Sequence, residues 1–359
     1  MVERGDVRQP IRRANPFNGN PQSSETIASQ RSKSGSPGNL LTGGPEQLHY
    51  EGIERAAETV VRRRRITIRN VEHDAYVERQ PKLFSNYKYV KYDRFSGELF
   101  VARWPRRKKQ IEGQKIVAVR RRAKNLIIKL SGGSNLLIHL KMTGHIIITS
   151  DKDKVSDNGH WKKTDNKLLL TDRMNQFIRI IFYLSGEKML AMSDLRKFAY
   201  IKLVDDKELG EFLDKYGSEP FDKDFTAKKL GEILSKKKTT VKKVLMDQSQ
   251  IAGVGNIYAD EILWASRVHP LTPANKLSRE DVEAIYENTK KILSESLKRR
   301  GTSTSDFRDT EGRPGTFGDI RNVYRMTDLP CPACGGSIRR ISLGGRGTHF
   351  CPSCQKEIK

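Results

Sequence analysis

The sequence contains four cysteines, all within its last 30 residues. They form two Cys-x2-Cys pairs, Cys331 with Cys334 and Cys351 with Cys354, separated by sixteen residues. Thiolates at this spacing are typical of a zinc ribbon, in which two turns present four sulfur atoms tetrahedrally. Because four protein ligands leave no open coordination position, the pattern predicts one structural zinc ion rather than a catalytic one. Four unrelated buried thiols are the alternative, and chance would rarely produce this spacing.

Two further segments have the composition of an anion site. Between the cysteine pairs, Gly344–Thr348 combines glycines, which permit close backbone approach to a ligand, with Arg346, whose guanidinium can bind a phosphate in a bidentate manner. Upstream, Lys236–Lys243 is predicted to open a helix, and Gly253–Asn256 turns into a second helix whose unpaired N–H groups favour an anion. By residue type alone, a solvated ribbon turn explains the first segment equally well, and a solvated helix start explains the second somewhat better.

The charge of the chain indicates its partner. With 67 Lys and Arg against 43 Asp and Glu, the formal net charge is +24 and the pI is about 9.9. Clustered cations gain affinity for a polyanion by releasing its counterions, so nucleic acid is the expected partner. No apolar run approaches the roughly 18 residues that span a bilayer, and the first residues lack the apolar block of a secretion signal. We therefore expect a cytoplasmic, nucleoid-associated protein without membrane contact.

The chain is long enough for several domains, and its residue composition and periodicity change along its length. Residues 1–44 lack periodicity and are rich in Ser, Gly, Pro, Asn and Arg, so we expect a disordered tail. A helix is predicted at Tyr50–Arg65, and short strand-like runs follow as far as Leu203. The best-defined of these runs are Lys115–Val119, Leu126–Leu130, Leu136–Leu140, His145–Thr149, Phe177–Leu184 and Tyr200–Leu203.

Beyond Asp205 the apolar residues recur at helical spacing. The predicted helices are Leu230–Leu234, Val241–Met246, Ile257–Ala265 and Val282–Leu297. Together these patterns predict an α+β multidomain protein with an N-terminal β-sandwich, a helical domain and a C-terminal zinc ribbon. The predicted boundaries are 1–44 for the tail, 45–204 for the first helix and the sandwich, 205–320 for the helical domain and 321–359 for the ribbon.

Several motifs, in a consistent order, resemble the formamidopyrimidine-DNA glycosylase family, and the resemblance extends from about Ile111 to Lys356. They are Arg121–Leu126, His139–Gly144, Asp194–Phe198, Leu245–Gln248, Gly253–Ala259 and Gly345–Cys351. The resemblance implies a β-sandwich joined to a helix-two-turn-helix domain, with double-stranded DNA bound in the cleft between them. It also implies a monomer that turns an oxidised base out of the stack, which costs least at a weakened base pair.

The resemblance assigns DNA contacts to individual residues. Met142, Arg196 and Phe198 would fill the space that the extruded base leaves, although by residue type alone Met and Phe suggest the core and Arg the surface. His139 would also contact DNA. Thr302–Arg321, which the sequence describes only as a flexible glycine-containing segment, would cover the flipped base.

Four further residues would act around the lesion if the resemblance holds. Asn256 and Lys242 would hold phosphates, and Arg346 would engage the phosphates beside the damaged nucleotide. Lys124 would contact phosphate near the reacting sugar and assist the elimination steps. Without the resemblance, Lys124 is simply a surface lysine.

The resemblance also implies a reaction. In the family, the secondary amine of an N-terminal proline attacks the sugar C1′, and the following glutamate is the general acid. An α-amine has a pKa of about 7.7–8.0, so a sizeable fraction is neutral and nucleophilic at pH 7. We therefore expect a bifunctional glycosylase and abasic-site lyase that excises oxidised purines, such as 8-oxoguanine and formamidopyrimidines, and nicks the DNA by β,δ-elimination.

The N-terminus departs from this pattern. The best match to the family's Pro-Glu start is Pro45 with Glu46, but the nitrogen of an internal proline is an amide and not a free amine. Val2 with Glu3 is the alternative if Met1 is removed, yet a long tail holds near-attack geometry poorly. The departure leaves a rival function open, that of a DNA-binding protein that has lost its nucleophile.

Three smaller departures concern the sandwich. Phe177 stands where many relatives have a DNA-contacting histidine, Lys197 replaces the second arginine of the Asp-Pro-Arg-Arg-Phe-Gly pattern, and Asp74–Lys109 is longer than the usual connection. They weaken the transfer of single-residue roles without changing the expected fold. A nucleic-acid-binding zinc-ribbon protein of another family is the third alternative.

Overall fold

The computed structural model describes residues 89–94, 110–303 and 306–357, with the backbone alone for 89–94. Several predicted features lie outside the described residues: the tail 1–44, the helix at Tyr50–Arg65, Pro45 and Glu46, Val2 and Glu3, and most of the connection Asp74–Lys109.

Two four-stranded antiparallel sheets form a β-sandwich. The strands are β1 Tyr89–Arg94, β2 Ile116–Arg122, β3 Asn125–Leu130, β4 Asn135–His139, β5 Gly144–Ser150, β6 Lys154–Val155, β7 Trp161–Lys163, β8 Ile178–Leu184, β9 Lys188–Asp194 and β10 Tyr200–Val204. One sheet has the order β1-β8-β9-β5 and the other β10-β4-β3-β2, while β6 and β7 pair separately. The predicted β-sandwich is therefore present, and its strand ends bring distant loops together.

Several strands are apolar on both faces because both faces are covered. Successive side chains of a strand point in opposite directions. Ile146 and Ile180 accordingly lie in the core between the two sheets, whereas their neighbours Ile147 and Ile181 belong to a second cluster on the outer face. A short helix, α1 Lys167–Thr171, contributes Leu169 to that outer cluster. The sheet that carries β5, β8 and β9 is thus buried on both sides.

The helical domain follows the sandwich. Its helices are α2 Asp206–Leu213, α3 Ala227–Ser235, α4 Val241–Met246, α5 Asn256–Ala265 and α6 Arg279–Lys298. Eight of the ten residues of α5 are buried, so this helix is the centre of the domain rather than an amphipathic surface helix. Helix α6 begins at a capping box, in which Ser278 and Asp281 each accept the backbone N–H of the other.

The C-terminal ribbon is a hairpin of β11 Arg339–Leu343 and β12 Arg346–Phe350. It packs against the end of α5, where Trp264 forms an apolar cluster with residues of the ribbon. The buried carboxylate of Glu261 accepts the backbone N–H groups of Asn322, Val323 and Tyr324 at 2.9–3.0 Å. These bonds fix the segment that leads from the helical domain into the ribbon.

The structure corrects the predicted helix start at Lys236–Lys243. Lys236 instead follows the last residue of α3, and α4 begins only at Val241, after Thr240. The first three lysines therefore lie in a connection, where they cannot contribute to the start of a helix. In the part of the chain that the structure describes, no helix is both long enough and apolar enough to cross a membrane.

Candidate nucleic-acid interface and metal centre

The four predicted zinc ligands converge at the base of the ribbon. Their sulfur atoms all lie within 4.8 Å of one another, and the Sγ atoms of Cys331 and Cys354 are 3.8 Å apart. A tetrahedron with zinc–sulfur bonds of about 2.3 Å places its sulfurs about 3.8 Å apart, so these residues fit one zinc ion. The indole N–H of Trp264 donates to Cys331 Sγ at 3.3 Å, and such outer hydrogen bonds favour a thiolate. A bound zinc would therefore also fix the ribbon to α5.

Three residues from two separate loops form one exposed cluster, which we call the wedge cluster: Met142, Arg196 and Phe198. Met142 and Phe198 are 49% and 53% exposed, which is unusual for large apolar side chains. The guanidinium carbon of Arg196 is 4.6 Å from the centre of the Phe198 ring, and its Nη1 is 3.3 Å from Met142 Sδ. The structure thus brings together the three residues that the resemblance predicted to fill the DNA stack. Their contact with DNA stays a prediction.

A buried carboxylate holds the backbone beneath the wedge cluster. Asp194 is inaccessible to solvent, and its oxygens accept the N–H groups of Arg196 at 3.2 Å and Ala199 at 2.8 Å, together with the hydroxyl of Thr143. Lys197 adopts the left-handed conformation, with φ of 59°, so the chain bends between the two wedge residues on either side of it. Exposed side chains on a fixed backbone are preorganised for a partner.

His139 ends strand β4 next to this cluster. Its Nδ1 accepts the backbone N–H of Lys141 at 2.9 Å, and Lys141 is itself left-handed with φ of 54°. The imidazole ring lies 5.7 Å from the ring of Tyr200 on β10. The structure therefore gives His139 a role in shaping the turn that carries Met142, and its predicted DNA contact stays a prediction.

Lys124 lies in the turn between β2 and β3, which reaches the helical domain. Its Nζ donates to the carbonyl oxygen of Val254 at 3.3 Å. Val254 precedes Gly255, the residue that caps α5. The structure thus places Lys124 beside Gly253–Asn256, the turn that the sequence identified as a possible anion site.

The structure buries Lys242, and its predicted phosphate contact stays a prediction. Its side chain is 1% exposed, and its ammonium lies 2.6 Å from Asp260 Oδ1 and 2.7 Å from the hydroxyl of Thr348. Lys242 is buried because it lies on the side of α4 that faces α5 and the ribbon rather than solvent. Burial lowers the pKa of Lys242, and the adjacent Asp260 opposes that shift. Lys242 is an internal bridge between α4, α5 and β12.

Asn256 also contacts the ribbon. Its Nδ2 donates to the carbonyl oxygen of Gly347 at 3.0 Å, the same oxygen from which Lys242 Nζ is 3.5 Å away. The side-chain amide is thus engaged inside the protein. A phosphate contact at Asn256 stays a prediction and would use the N-terminus of α5, where Asn256 is the first residue.

Arg346 is exposed where the ribbon turn meets β12. The turn itself is formed by Gly344 and Gly345, whose φ values of 58° and 73° lie in the left-handed region that glycine adopts without strain. Lys243 of α4 and Arg346 both line a cleft of about 140 Å³ between α4 and this turn. Sequence reasoning included Lys243 in the lysine-rich segment but gave the phosphate contact to Lys242, because only the orientation of α4 shows which of the two is exposed.

The loop after α6 packs onto the sandwich, whereas the sequence suggested a flexible segment. In the described part, Asn175 Nδ2 donates to the carbonyl oxygen of Gly312 at 3.1 Å. Arg308 Nη2 lies 3.0 Å from Asp172 Oδ1, in an ion pair that is mostly buried. The helical domain therefore contacts the sandwich at this loop as well as at the turn that carries Lys124.

Known proteins match the chain in the same three parts. The N-terminal domain of formamidopyrimidine-DNA glycosylase matches residues 45–201, and the H2TH domain of that enzyme matches residues 216–308. A zinc finger found in FPG and IleRS matches residues 328–356. The sandwich, the helical domain and the ribbon, in this order, define a protein with the Fpg fold.

Individual relatives agree with this assignment. The formamidopyrimidine-DNA glycosylase of Streptococcus pyogenes serotype M6 is 36% identical over 249 residues, 69% of this chain and 83% of the relative. That of Chloroflexus aurantiacus is 35% identical over 245 residues, 68% of this chain and 81% of the relative. A solved complex of Lactococcus lactis Fpg with DNA containing an abasic site has a TM-score of 0.66 at 27% identity, covering 77% of this chain and 95% of that one. This chain belongs to the formamidopyrimidine-DNA glycosylase family.

These findings confirm the resemblance, the α+β multidomain fold and the single four-cysteine zinc site predicted from the sequence.

Proposed function

We propose that this protein is a DNA glycosylase that excises oxidised purines from double-stranded DNA and then cleaves the backbone at the abasic site. The observation that carries the proposal is the wedge cluster, because exposed apolar side chains on a fixed backbone can occupy the stack that an extruded base vacates. Solved relatives support the substrate class: they include Lactococcus lactis Fpg with FAPY-dG containing DNA and MutM with carbocyclic 8-oxo-G containing DNA. Such a substrate would place the protein at chromosomal DNA in the cytoplasm, where it would act as a monomer.

In this proposal the nucleophile is the nitrogen of Pro45, and Glu46 is the general acid. The match to the family's N-terminal domain begins at residue 45, which supports this assignment. A free proline amine would attack C1′ of the damaged nucleotide while the C1′–base bond breaks and the departing base takes a proton from Glu46. The C1′–O4′ bond of the resulting N,O-acetal would then break, with O4′ taking the proton that the proline nitrogen loses, which leaves an iminium at C1′. The iminium would acidify the adjacent sugar carbon, so elimination of the phosphates on either side could follow.

Cations of both domains would hold the DNA around this sugar. Lys124 would lie on the sandwich side, and Arg346 and Lys243 on the ribbon side, with the N-terminus of α5 at Asn256 between them. Phosphate contacts of this kind fix the register of the duplex without reading its sequence. Damage recognition would then come from the wedge cluster and from the loop Thr302–Arg321, which would cover the flipped base.

A second function is favoured by one observation on the sequence itself. Pro45 is preceded by Gly44, so in the chain as written its nitrogen is an amide and cannot form an iminium. A protein in this state would still bind damaged DNA but would not remove the damaged base. The two functions differ in covalent chemistry and not in DNA binding.

Arg346→Ala is expected to weaken binding to a duplex that contains tetrahydrofuran, an uncleavable abasic-site analogue, by about tenfold or more, because a charge-assisted contact is worth about 1.5–3 kcal/mol. The slope of log affinity against log salt should fall by about 1 as one phosphate contact is lost. Fluorescence anisotropy at several salt concentrations measures both quantities. Arg279→Ala is the matched control, since Arg279 is 87% exposed on α6 and pairs only with Glu283 among the described residues. An unchanged affinity and slope in Arg346→Ala would remove this residue from the interface.

The zinc site gives a further expected result. Purified protein should contain one zinc ion per chain, and Cys351→Ser should lose it, because a serine oxygen is a poor substitute for a thiolate ligand. Loss of zinc should unfold the ribbon and reduce DNA affinity, since Arg346 lies on the same hairpin. Ser353→Ala changes an exposed neighbour that is not a ligand and should retain the metal. Elemental analysis that finds a well-folded protein without zinc would contradict the assignment.

A further inference from the structure

We infer that Glu219 is a positioning residue for Lys124: it holds the β2–β3 turn so that the lysine ammonium lies at the start of α5. Glu219 lies in the connection between α2 and α3, so it belongs to the helical domain, whereas Lys124 belongs to the sandwich. The inference rests on the proposed function, in which Lys124 acts beside the reacting sugar.

The backbone N–H and the backbone carbonyl of Ala123, the residue before Lys124, are both hydrogen-bonded. Ala123 is inaccessible to solvent and left-handed, with φ of 53°. Its N–H donates to Glu219 Oε1 at 2.7 Å, and its carbonyl oxygen accepts from Arg121 Nη1 at 3.0 Å. Arg121 is in turn paired with Glu219 Oε2. A carboxylate, a guanidinium and one residue's backbone N–H and C=O therefore close a ring of interactions around the turn.

The burial of Glu219 argues that this arrangement serves more than the joining of two domains. Glu219 is 5% exposed, and a buried carboxylate is stable only when it is paired and hydrogen-bonded. The neighbouring pair of Arg122 and Asp222, 3.4 Å apart with Asp222 46% exposed, already joins the same two segments at the surface. Among the described residues, only the carboxylate of Glu219 accepts the N–H of Ala123, the residue before Lys124.

The position of this turn determines where the lysine ammonium lies. Lys124 Nζ is 3.3 Å from the carbonyl oxygen of Val254, so the side chain extends across the boundary between the domains. The long lysine side chain is flexible, and its end is placed by where the backbone starts and by the group it contacts. A displacement of about 1 Å in a reacting group can cost roughly 10²-fold in rate. Loosening the turn should therefore affect Lys124 more than DNA binding as a whole.

Reductive trapping of Lys124 on the full-length protein tests this inference without requiring catalysis. In a duplex with one natural abasic site, the ring-opened C1′ aldehyde condenses with a nearby lysine ε-amine and loses water to form an imine. Sodium cyanoborohydride reduces that imine to a stable secondary amine, and peptide mapping measures the fraction attached to Lys124. Glu219→Leu is expected to lower this fraction at least tenfold. Glu219→Gln, whose amide oxygen still accepts the Ala123 N–H but cannot form the ion pair, should give an intermediate yield.

The controls separate positioning from folding and from DNA binding. Asp222→Asn removes the neighbouring charge while its amide oxygen can still accept the Glu219 N–H that Asp222 accepts, so it should leave the Lys124 fraction unchanged. Affinity for the tetrahydrofuran duplex should change less than threefold in both Glu219 variants. An equal loss of trapping at every mapped amine would show a general structural defect and overturn the inference, as would an unchanged Lys124 fraction in Glu219→Leu. Absence of any Lys124 adduct in the unaltered protein would also overturn it, whereas failure of that protein to bind the tetrahydrofuran duplex would instead refute the proposed function.

Discussion

A chain that begins at Pro45 is expected to be trapped on abasic-site DNA by borohydride through the nitrogen of Pro45, whereas the full-length chain is expected to bind the same DNA without forming an adduct at Pro45. Borohydride captures only an iminium or imine, and Pro45 can form one only when its nitrogen is a free secondary amine. The fraction trapped at Pro45 should be near zero in the full-length chain, since there the reacting nitrogen is bonded to the preceding residue as an amide. Peptide mapping of the covalent complex measures the fraction trapped at Pro45, and native gels measure binding.

Two variants of the shortened chain make this prediction specific. Retaining Gly44 ahead of Pro45 moves the amine by about 3.5 Å, so trapping should fall at least tenfold although the length and charge hardly change. Glu46→Gln should abolish the release of 8-oxoguanine but reduce DNA affinity much less, because the general acid is lost while the phosphate contacts stay. Trapping of the full-length chain as extensive as that of the shortened chain, summed over all mapped amines, would refute the Pro45 assignment and favour Val2 or a lysine amine. Intact binding by the shortened chain without an adduct at Pro45 would favour the non-catalytic function.

The sequence predicted those parts of the site whose signal is local. Four cysteines at fixed spacing determine the metal and its geometry without knowledge of the fold, and the structure brings their sulfurs within 4.8 Å of one another. The bounds of the predicted helix at Val241–Met246 also agree with α4. In each case, neighbouring residues carry enough information to specify the local structure.

The orientation of α4 shows where local information ends. Val241, Val244 and Leu245 form its buried face, and the lysine at 242 lies on the boundary of that face. Whether that lysine is buried depends on a carboxylate at Asp260, on another helix, and on the ribbon hydroxyl of Thr348. The helical period gives no information about those partners, so the sequence alone could not predict that Lys242 is buried. Its predicted phosphate contact came from the resemblance.

Elements without a strong pattern were missed for a similar reason. Strand β9, Lys188–Asp194, contains Met and Ala in place of β-branched residues, and it is a strand because it pairs with β5 and β8 on either side. Helix α2 has no fully buried residue, and its apolar residues Leu209, Phe212 and Leu213 span little more than one turn, which is too short a stretch for periodicity to detect. Its other local signal is the capping box formed by Asp205 and Glu208. The contact of Glu219 with the Ala123 turn spans 96 residues and had no local signal.

The buried pair of Lys242 and Asp260 leads to the second prediction with a large effect. Both side chains are at most 1% exposed, and Asp260 Oδ2 also accepts the backbone N–H of His349 at 2.9 Å. Asp260→Asn should therefore keep an acceptor for the ribbon while leaving the ammonium of Lys242 buried without a counter-charge. Breaking a buried pair in this way typically costs about 3–5 kcal/mol in the free energy of unfolding. Urea denaturation at pH 7 measures the change.

A double variant and a pH series distinguish the unpaired charge from other causes. Lys242→Met combined with Asp260→Asn should recover most of the lost stability, because no buried charge is then left. Glu283→Gln, at an exposed pair on α6, is the control and should have no measurable effect. Burial already lowers the pKa of Lys242, and removing Asp260 lowers it further, so the unfolded chain binds the additional proton. The stability lost in Asp260→Asn should consequently shrink as the pH rises from neutral towards the ordinary pKa of lysine. A loss that is independent of pH and persists in the double variant would show that Asp260 acts through the His349 N–H and not through the charge of Lys242.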